Sequence, residues 1–156
     1  MENLRKQGSD DAIATFIDTE RPFLGICIGM QVLMERSNEF GEHAGLGHIK
    51  GSVERIPNIS GSGSRVKVPH IGWAKVNNTS TSLNNHASCI LKEQNYFYFV
   101  HSYMCSPTSI DNVLAAANYY GNKITAIVGR DNILGVQFHP ERSGNEGLSF
   151  LNHYLK

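Results

Sequence analysis

Cys27 stands in the pentapeptide Gly25-Ile26-Cys27-Ile28-Gly29, at the end of an apolar run and at the start of a helix-like one. A nucleophile on a sharp strand-to-helix turn is lifted clear of its sheet, and glycines two residues to either side relieve the crowding such a turn creates. The N-terminus of the following helix lowers the thiol pKa and offers backbone N–H groups, beginning with Ile28, to a developing oxyanion. The same five residues also suit a core cysteine packed between two glycines. A thiol nucleophile needs a base, and Gly135-Val136-Gln137-Phe138-His139-Pro140-Glu141 supplies one. Pro140 biases His139 towards an extended backbone, in which residues two apart share a face, so Glu141 can reach the imidazole and stabilise its protonated form. Taken alone this stretch also reads as a surface turn with a casual His and Glu. Each motif supplies what the other lacks, and together they predict a Cys27-His139-Glu141 triad. Cys89 and Cys105 lack flanking glycines and rank below Cys27 as nucleophiles.

The surrounding pattern is α/β. Residues 10–20 carry Ile13, Phe16 and Ile17 as an apolar stripe and run into Pro22, and an apolar strand follows over 23–27. Met30, Leu33 and Met34 then recur at helical spacing, which predicts a helix over 29–38 with Gly41 as its stop. The middle is β-rich, with strands expected at 52–56, 71–76, 96–101 and 113–118 and a Gly-Ser-Gly-Ser loop at 61–64. Tyr119-Tyr120-Gly121-Asn122 and Asp131-Asn132 read as hairpin turns leading to strands at 124–128 and 133–138. A final amphipathic helix covers 146–154. No repeat or linker interrupts the 156 residues, so a single domain over 1–156 is expected.

Composition narrows the chemistry. Fourteen Lys+Arg balance fourteen Asp+Glu, and the longest basic signal is Arg65-Val66-Lys67, so no nucleic-acid partner is expected. The apolar runs fall well short of the ~20 residues that span a bilayer, and the first residues lack the apolar core of a signal peptide, so neither a membrane role nor export is expected. Three scattered cysteines are no disulfide framework and suit a reducing, cytoplasmic compartment. There is no Cys-x-x-Cys and no His-Glu-x-x-His; His86 with Cys89 is the nearest approach to a ligand pair, and no metal or cofactor is expected.

Gly-Ile-Cys-Ile-Gly-Met-Gln at 25–31 with Phe-His-Pro-Glu at 138–141 resembles the class I glutamine amidotransferases. Pro69-His70-Ile71-Gly72-Trp73, Tyr98-Phe99-Val100-His101-Ser102-Tyr103 and the run 135–144 narrow the likeness to the glutaminase subunits of imidazole glycerol phosphate synthase, over the whole chain. The resemblance implies a flavodoxin-like α/β fold, an open and mostly parallel sheet with helices on both faces. It implies that Cys27 attacks the side-chain amide of glutamine, that His139 carries the proton to the leaving ammonia, and that Glu141 holds His139. Gln31 and Glu39 would hold the polar α-substituents of glutamine, with the Ser102-Tyr103 backbone as a further clamp, although an exposed helix residue and a solvated charge are the ordinary readings of the first two. Pro69, His70 and Trp73 would face a synthase (cyclase) subunit with a (β/α)8 barrel, which uses the ammonia to make imidazole glycerol phosphate and AICAR in histidine biosynthesis. A core Trp on a strand is the other reading of Trp73. Ala74 stands where that family usually has Asn, which removes one polar contact from the expected interface.

Family members carry strands and a glycine-rich loop ahead of the region that matches residues 1–4. The resemblance therefore predicts an N-terminally incomplete domain, in which the oxyanion lacks one donor and the strand bearing Cys27 lacks neighbours. Two other functions compete: another class I amidotransferase of the anthranilate or guanylate type, disfavoured by the 69–73 segment, and a non-catalytic remnant that keeps only the partner-binding face.

Overall fold

The hydrophobic residues of the chain line two sheets and the few helices that cover them. The computed structural model describes residues 1–79, 91 and 95–155; His86 and Cys89 lie outside them. In chain order the elements are α1 (Glu2–Lys6), α2 (Ser9–Ile17), β1 (Phe23–Ile26), α3 (Ile28–Val32), β2 (Met34–Ser37), β3 (His43–Ala44) and β4 (Ile49–Arg55). There follow β5 (His70–Asn78), β6 (Tyr96–His101), β7 (Tyr103–Pro107), β8 (Val113–Tyr119), β9 (Asn122–Arg130), β10 (Ile133–Val136) and a last helix, Gly144–Tyr154, here α4. One sheet has the order β1-β10-β9-β8-β5-β6 and the other β3-β2-β4-β7.

The α/β class expected from the sequence is present, with one correction: the sheets are mixed rather than mostly parallel. Among the described pairs only β1 with β10 and β2 with β4 run parallel. The reason is connection length. Tyr120 and Gly121, both at positive φ (50° and 79°), form the two-residue turn between β8 and β9, and Asp131-Asn132 turns β9 into β10. Such short links make antiparallel neighbours, whereas a parallel pair needs a crossover.

The helix expected over 29–38 is also corrected. It ends at Val32, and Met34–Ser37 is a strand. The carbonyls that would continue the helix are taken by the chain that follows: Leu46 N donates to Val32 O at 2.8 Å, Ile49 N to Leu33 O at 3.0 Å, Gly47 N to Met34 O at 3.1 Å and Gly45 N to Glu35 O at 2.9 Å. Gly45 lies so close over the Met34 carbonyl that no side chain fits there. Met30, Leu33 and Met34 are all fully buried although only Met30 lies within the helix, which is why their spacing misleads. Three further elements, α1, β3 and β7, have no counterpart in the sequence reading.

The buried apolar residues form three clusters, two of which support the elements around Cys27 and His139. Alternation along β6 turns Phe97, Phe99 and His101 inwards and Tyr96, Tyr98 and Val100 outwards. Phe97 stacks on Phe138 at 4.0 Å between ring centroids, and Phe150 of α4 meets Phe138 edge-on at 5.5 Å. Burying each of these rings contributes roughly 1.5–3 kcal/mol, and the clamp on Phe138 fixes the backbone where His139 follows. Ile17, Met30, Leu33, Met34, Ile49 and Val53 build the second core, under α2 and α3.

Candidate active site

The parallel pairing of β1 with β10 sets Ile26 opposite Val136, so the two chains leave the sheet side by side at their carboxyl ends. That is where ligands bind in open α/β sheets. Cys27 N–H donates to Val136 O at 2.7 Å, tying the two exits together. Cys27 itself has φ 51° and ψ −106°, a strained conformation for a residue other than glycine, held by this bond and by the start of α3. The flanking glycines divide the work unequally. A Cβ on Gly25 would stand 2.6 Å from Gly29 O and 2.9 Å from Met30 N, whereas one on Gly29 would meet open space. Gly25 is thus the residue that lets the helix close over the strand.

His139 lies beyond β10 with its N–H on Tyr98 O at 2.9 Å. Buried Ser143 locks the junction from the other side: its hydroxyl donates to His139 O at 2.6 Å and accepts from Tyr98 N–H at 2.9 Å. His139 Nδ1 is 2.7 Å from Glu141 Oε1. The contact is made by a 3-10 turn over Pro140–Arg142 and not by an extended chain, which corrects the expected route. With Nδ1 engaged, Nε2 is the free ring nitrogen; it is buried and has no hydrogen-bond partner among the described residues.

The Cys27 thiol departs from expectation. Its pKa is raised, first by burial, while a hydrogen bond from Ile28 N–H pulls it down; the Glu141 carboxylate raises it, the Gln137 amide lowers it and the Glu39 carboxylate raises it. A five-residue helix does not outweigh burial beside two carboxylates. The sulfur is therefore a thiol at neutral pH until a base takes its proton. Ile28, more than half exposed, is the residue whose N–H faces the sulfur. Cys105 is fully buried and its thiol pKa is pushed far up by desolvation.

A cavity of about 430 Å³ is lined by Ile28, Gln31, Ser37 and Glu39 among others. Gln31 and Glu39 thus share one hollow with Ile28, the residue that follows Cys27; Cys27, His139 and Glu141 do not line it. The Ser102-Tyr103 backbone is already engaged: Ser102 O accepts from Ile56 N–H at 2.9 Å, and Tyr103 O accepts from Gln31 Nε2 and His101 Nδ1. A larger hollow of about 820 Å³, lined by Asn112, Arg130 and Tyr154 among others, contains none of these residues and is far less suited to the chemistry. Among the described residues no cluster of His, Cys, Asp and Glu has the arrangement to hold a metal.

On β5, alternation separates the residues expected at the partner face. Ile71 and Trp73 point out, each about half exposed, and Trp73 meets half-buried Tyr98 edge-on at 6.1 Å. The Arg142 guanidinium lies over the same Tyr98 ring, 4.7 Å from its centre. Pro69 is half-buried. His70 is not on this face: it is 2% exposed and stacks between Phe99 and Tyr119. Period-two alternation from Trp73 sends His70 inwards and Ile71, which the sequence reading passed over, outwards. Gln137 was likewise passed over; its place beside Cys27 depends on the β1–β10 register, and no local signal reports that.

The profile of the family described as Glutamine amidotransferase class-I matches residues 3–155. The chain belongs to this family. It is 43% identical over 154 residues to the imidazole glycerol phosphate synthase subunit HisH of Halalkalibacterium halodurans, an alignment covering 99% of this amidotransferase and 70% of that protein. It is 42% identical to the HisH subunit of Sulfurimonas denitrificans, covering 100% and 72%. A solved glutamine amidotransferase from Thermotoga maritima superposes with a TM-score of 0.59 at 19% identity, which speaks for the fold alone; 96% of this chain is covered and the chain spans about half of that one, 53%.

Proposed function

We propose that this amidotransferase is the glutaminase subunit of an imidazole glycerol phosphate synthase, releasing ammonia from glutamine for a cyclase subunit in histidine biosynthesis. The observation that carries the reading is that Cys27 follows β1 and the run to His139 and Glu141 follows β10 at the same end of two paired parallel strands, with His139 Nδ1 2.7 Å from Glu141 Oε1. The relation to HisH subunits supports the pathway.

In this reading Nε2 of His139 takes the thiol proton as Sγ attacks the side-chain carbonyl carbon of glutamine. Glu141 holds the other nitrogen and stabilises the imidazolium. The oxyanion of the tetrahedral intermediate sits at Ile28 N–H. Collapse breaks the C–N bond, His139 hands its proton to the departing ammonia, and a γ-glutamyl thioester remains. Water, deprotonated by His139, then releases glutamate and returns the proton to sulfur. Gln31 and Glu39 face the α-substituents of glutamine from the neighbouring cavity. The exposed pair Ile71 and Trp73, with Tyr98 and Pro69 beside them, forms the face that meets the (β/α)8 cyclase.

The test is glutamate release and imidazole glycerol phosphate synthesis with purified cyclase. Cys27→Ala should abolish glutamine-driven synthesis and leave ammonia-driven synthesis intact. Glutamine-driven synthesis by the variant would overturn the assignment, and a parent chain that binds the cyclase without releasing glutamate would make it a binding remnant.

A further inference from the structure

Gln137 is fully buried, and its backbone N–H is satisfied by Ala126 O at 2.9 Å, so its side-chain amide is free to serve something else. That amide points Nε2 at Cys27 Sγ, 3.7 Å away. Its direction is dictated by a chain of groups with no choice of role. The Tyr103 carbonyl can only accept, and it takes a hydrogen bond from Gln31 Nε2 at 3.1 Å. The same nitrogen reaches Gln137 Oε1 at 3.2 Å. With its oxygen so occupied, Gln137 presents its NH₂ group to the sulfur. The anchor is fixed from behind as well: His101 Nδ1 donates to Tyr103 O at 2.8 Å, which leaves His101 Nε2 to accept from His70 Nδ1 at 3.1 Å. Gln31, His70 and His101 are all buried.

We propose that Gln137 is the side-chain donor that stabilises the Cys27 thiolate, and that Gln31 is a positioning residue acting through it. The inference rests on Cys27 being the nucleophile of the proposed glutaminase. An N–H bond to an anionic acceptor is roughly twice as strong as one to a neutral acceptor, so this donor favours thiolate over thiol. It works against its surroundings: the carboxylates of Glu141 and Glu39 both oppose negative charge at this sulfur. The arrangement also gives Gln31 a task besides lining the substrate cavity.

The experiment follows alkylation of Cys27 in the full chain by iodoacetamide across pH, without glutamine, with the modified peptide identified by mass. Gln137→Met, similar in length but unable to donate, should move the midpoint upward by about one unit, a tenfold loss of thiolate below the midpoint, while the high-pH plateau rate stays within about threefold. Gln31→Met should shift it in the same direction by less, because the donor remains but loses its orientation. A midpoint within about 0.2 unit of the parent in Gln137→Met overturns the donor role, and one unmoved in Gln31→Met overturns the positioning role. Should Gln137→Met lose its fold, as read by near-UV circular dichroism, Gln31→Met decides. The readout needs neither glutamine nor cyclase, so a shifted midpoint in a chain that releases no glutamate would sink the glutaminase reading and leave this one standing.

Discussion

Gly25→Ala tests the claim that the strand–helix elbow is built around one glycine. The added Cβ would lie 2.6 Å from Gly29 O, 2.7 Å from Gly29 C and 2.9 Å from Met30 N, all backbone atoms. Reaching the ~3.4 Å of ordinary contact requires the first turn of α3 to retreat by about 0.8 Å, and no flexible side chain absorbs the strain. Overpacking of this kind costs about 1–3 kcal/mol. For a chain of this size that lowers Tm by ~2–4 °C per kcal/mol. The same movement carries Cys27 and Gln31 with it, and a displacement near 1 Å at a reacting group can cost about 10²-fold in rate. Gly29→Ala is the control. Its Cβ meets open space inside a helix, where Ala is favoured over Gly by up to about 1 kcal/mol, so Tm should hold or rise. Urea and thermal unfolding by circular dichroism, with the rate of Cys27 alkylation, read both effects. If Gly25→Ala is as stable and as reactive as the parent, or if Gly29→Ala is the more damaging of the two, the close approach does not shape the elbow and the reasoning fails.

Glu141→Gln should separate two properties: turnover falls by roughly 10²-fold or more as His139 loses its carboxylate, while Cys27 alkylates at lower pH because one of the charges that raises its pKa is gone. An unchanged alkylation profile would refute that electrostatic account. Trp73→Ala should leave unfolding within about 0.5 kcal/mol of the parent, since the residue is about half exposed on the sheet surface, yet weaken cyclase binding by more than ~1 kcal/mol in titration calorimetry; unchanged affinity would remove Trp73 from the interface. His70 and His101 have pKa values lowered from 6.5 to about 4, chiefly by burial. The unfolded chain therefore binds protons that the folded chain refuses, and stability should drop as pH falls from about 6.5 towards 4. His70→Phe should flatten that acid limb in urea titrations at pH 7, 6 and 5, and an equally steep limb in the variant would count against the pair as its source.

What could be read from the sequence was the part with local causes. Gly25 before Cys27, the nearness of His139 to Glu141 and the Tyr120-Gly121 turn follow from geometry imposed within a few residues, whereas Gly29 relieves no crowding. The path from His139 to Glu141 was misread because Pro140 was credited only with extending the residue before it, whereas its fixed φ also begins the 3-10 turn. The length of α3 and the strand Met34–Ser37 were hidden because competition for carbonyl oxygens came from residues 45–49. Gln137 and the inward turn of His70 depend on register and sheet face, which distant strands decide. Trp73 could be placed on a strand, but which side of the sheet it occupied required the partners β6 and β8.

The parallel contact between β1 and β10 has a consequence in time. Cys27 and Gln137 are separated by 110 positions, so the site joins an early part of the chain to a late one. At ~5–20 residues per second, a ribosome leaves roughly 5 to 20 seconds between making the cysteine and making the residues that surround it. During that interval the thiol lacks Gln137, His139 and Glu141 and behaves like any exposed cysteine, open to oxidants and electrophiles. The surroundings of the sulfur are thus assembled only when β10 docks on β1, which makes the elbow a record of how far the chain has been made.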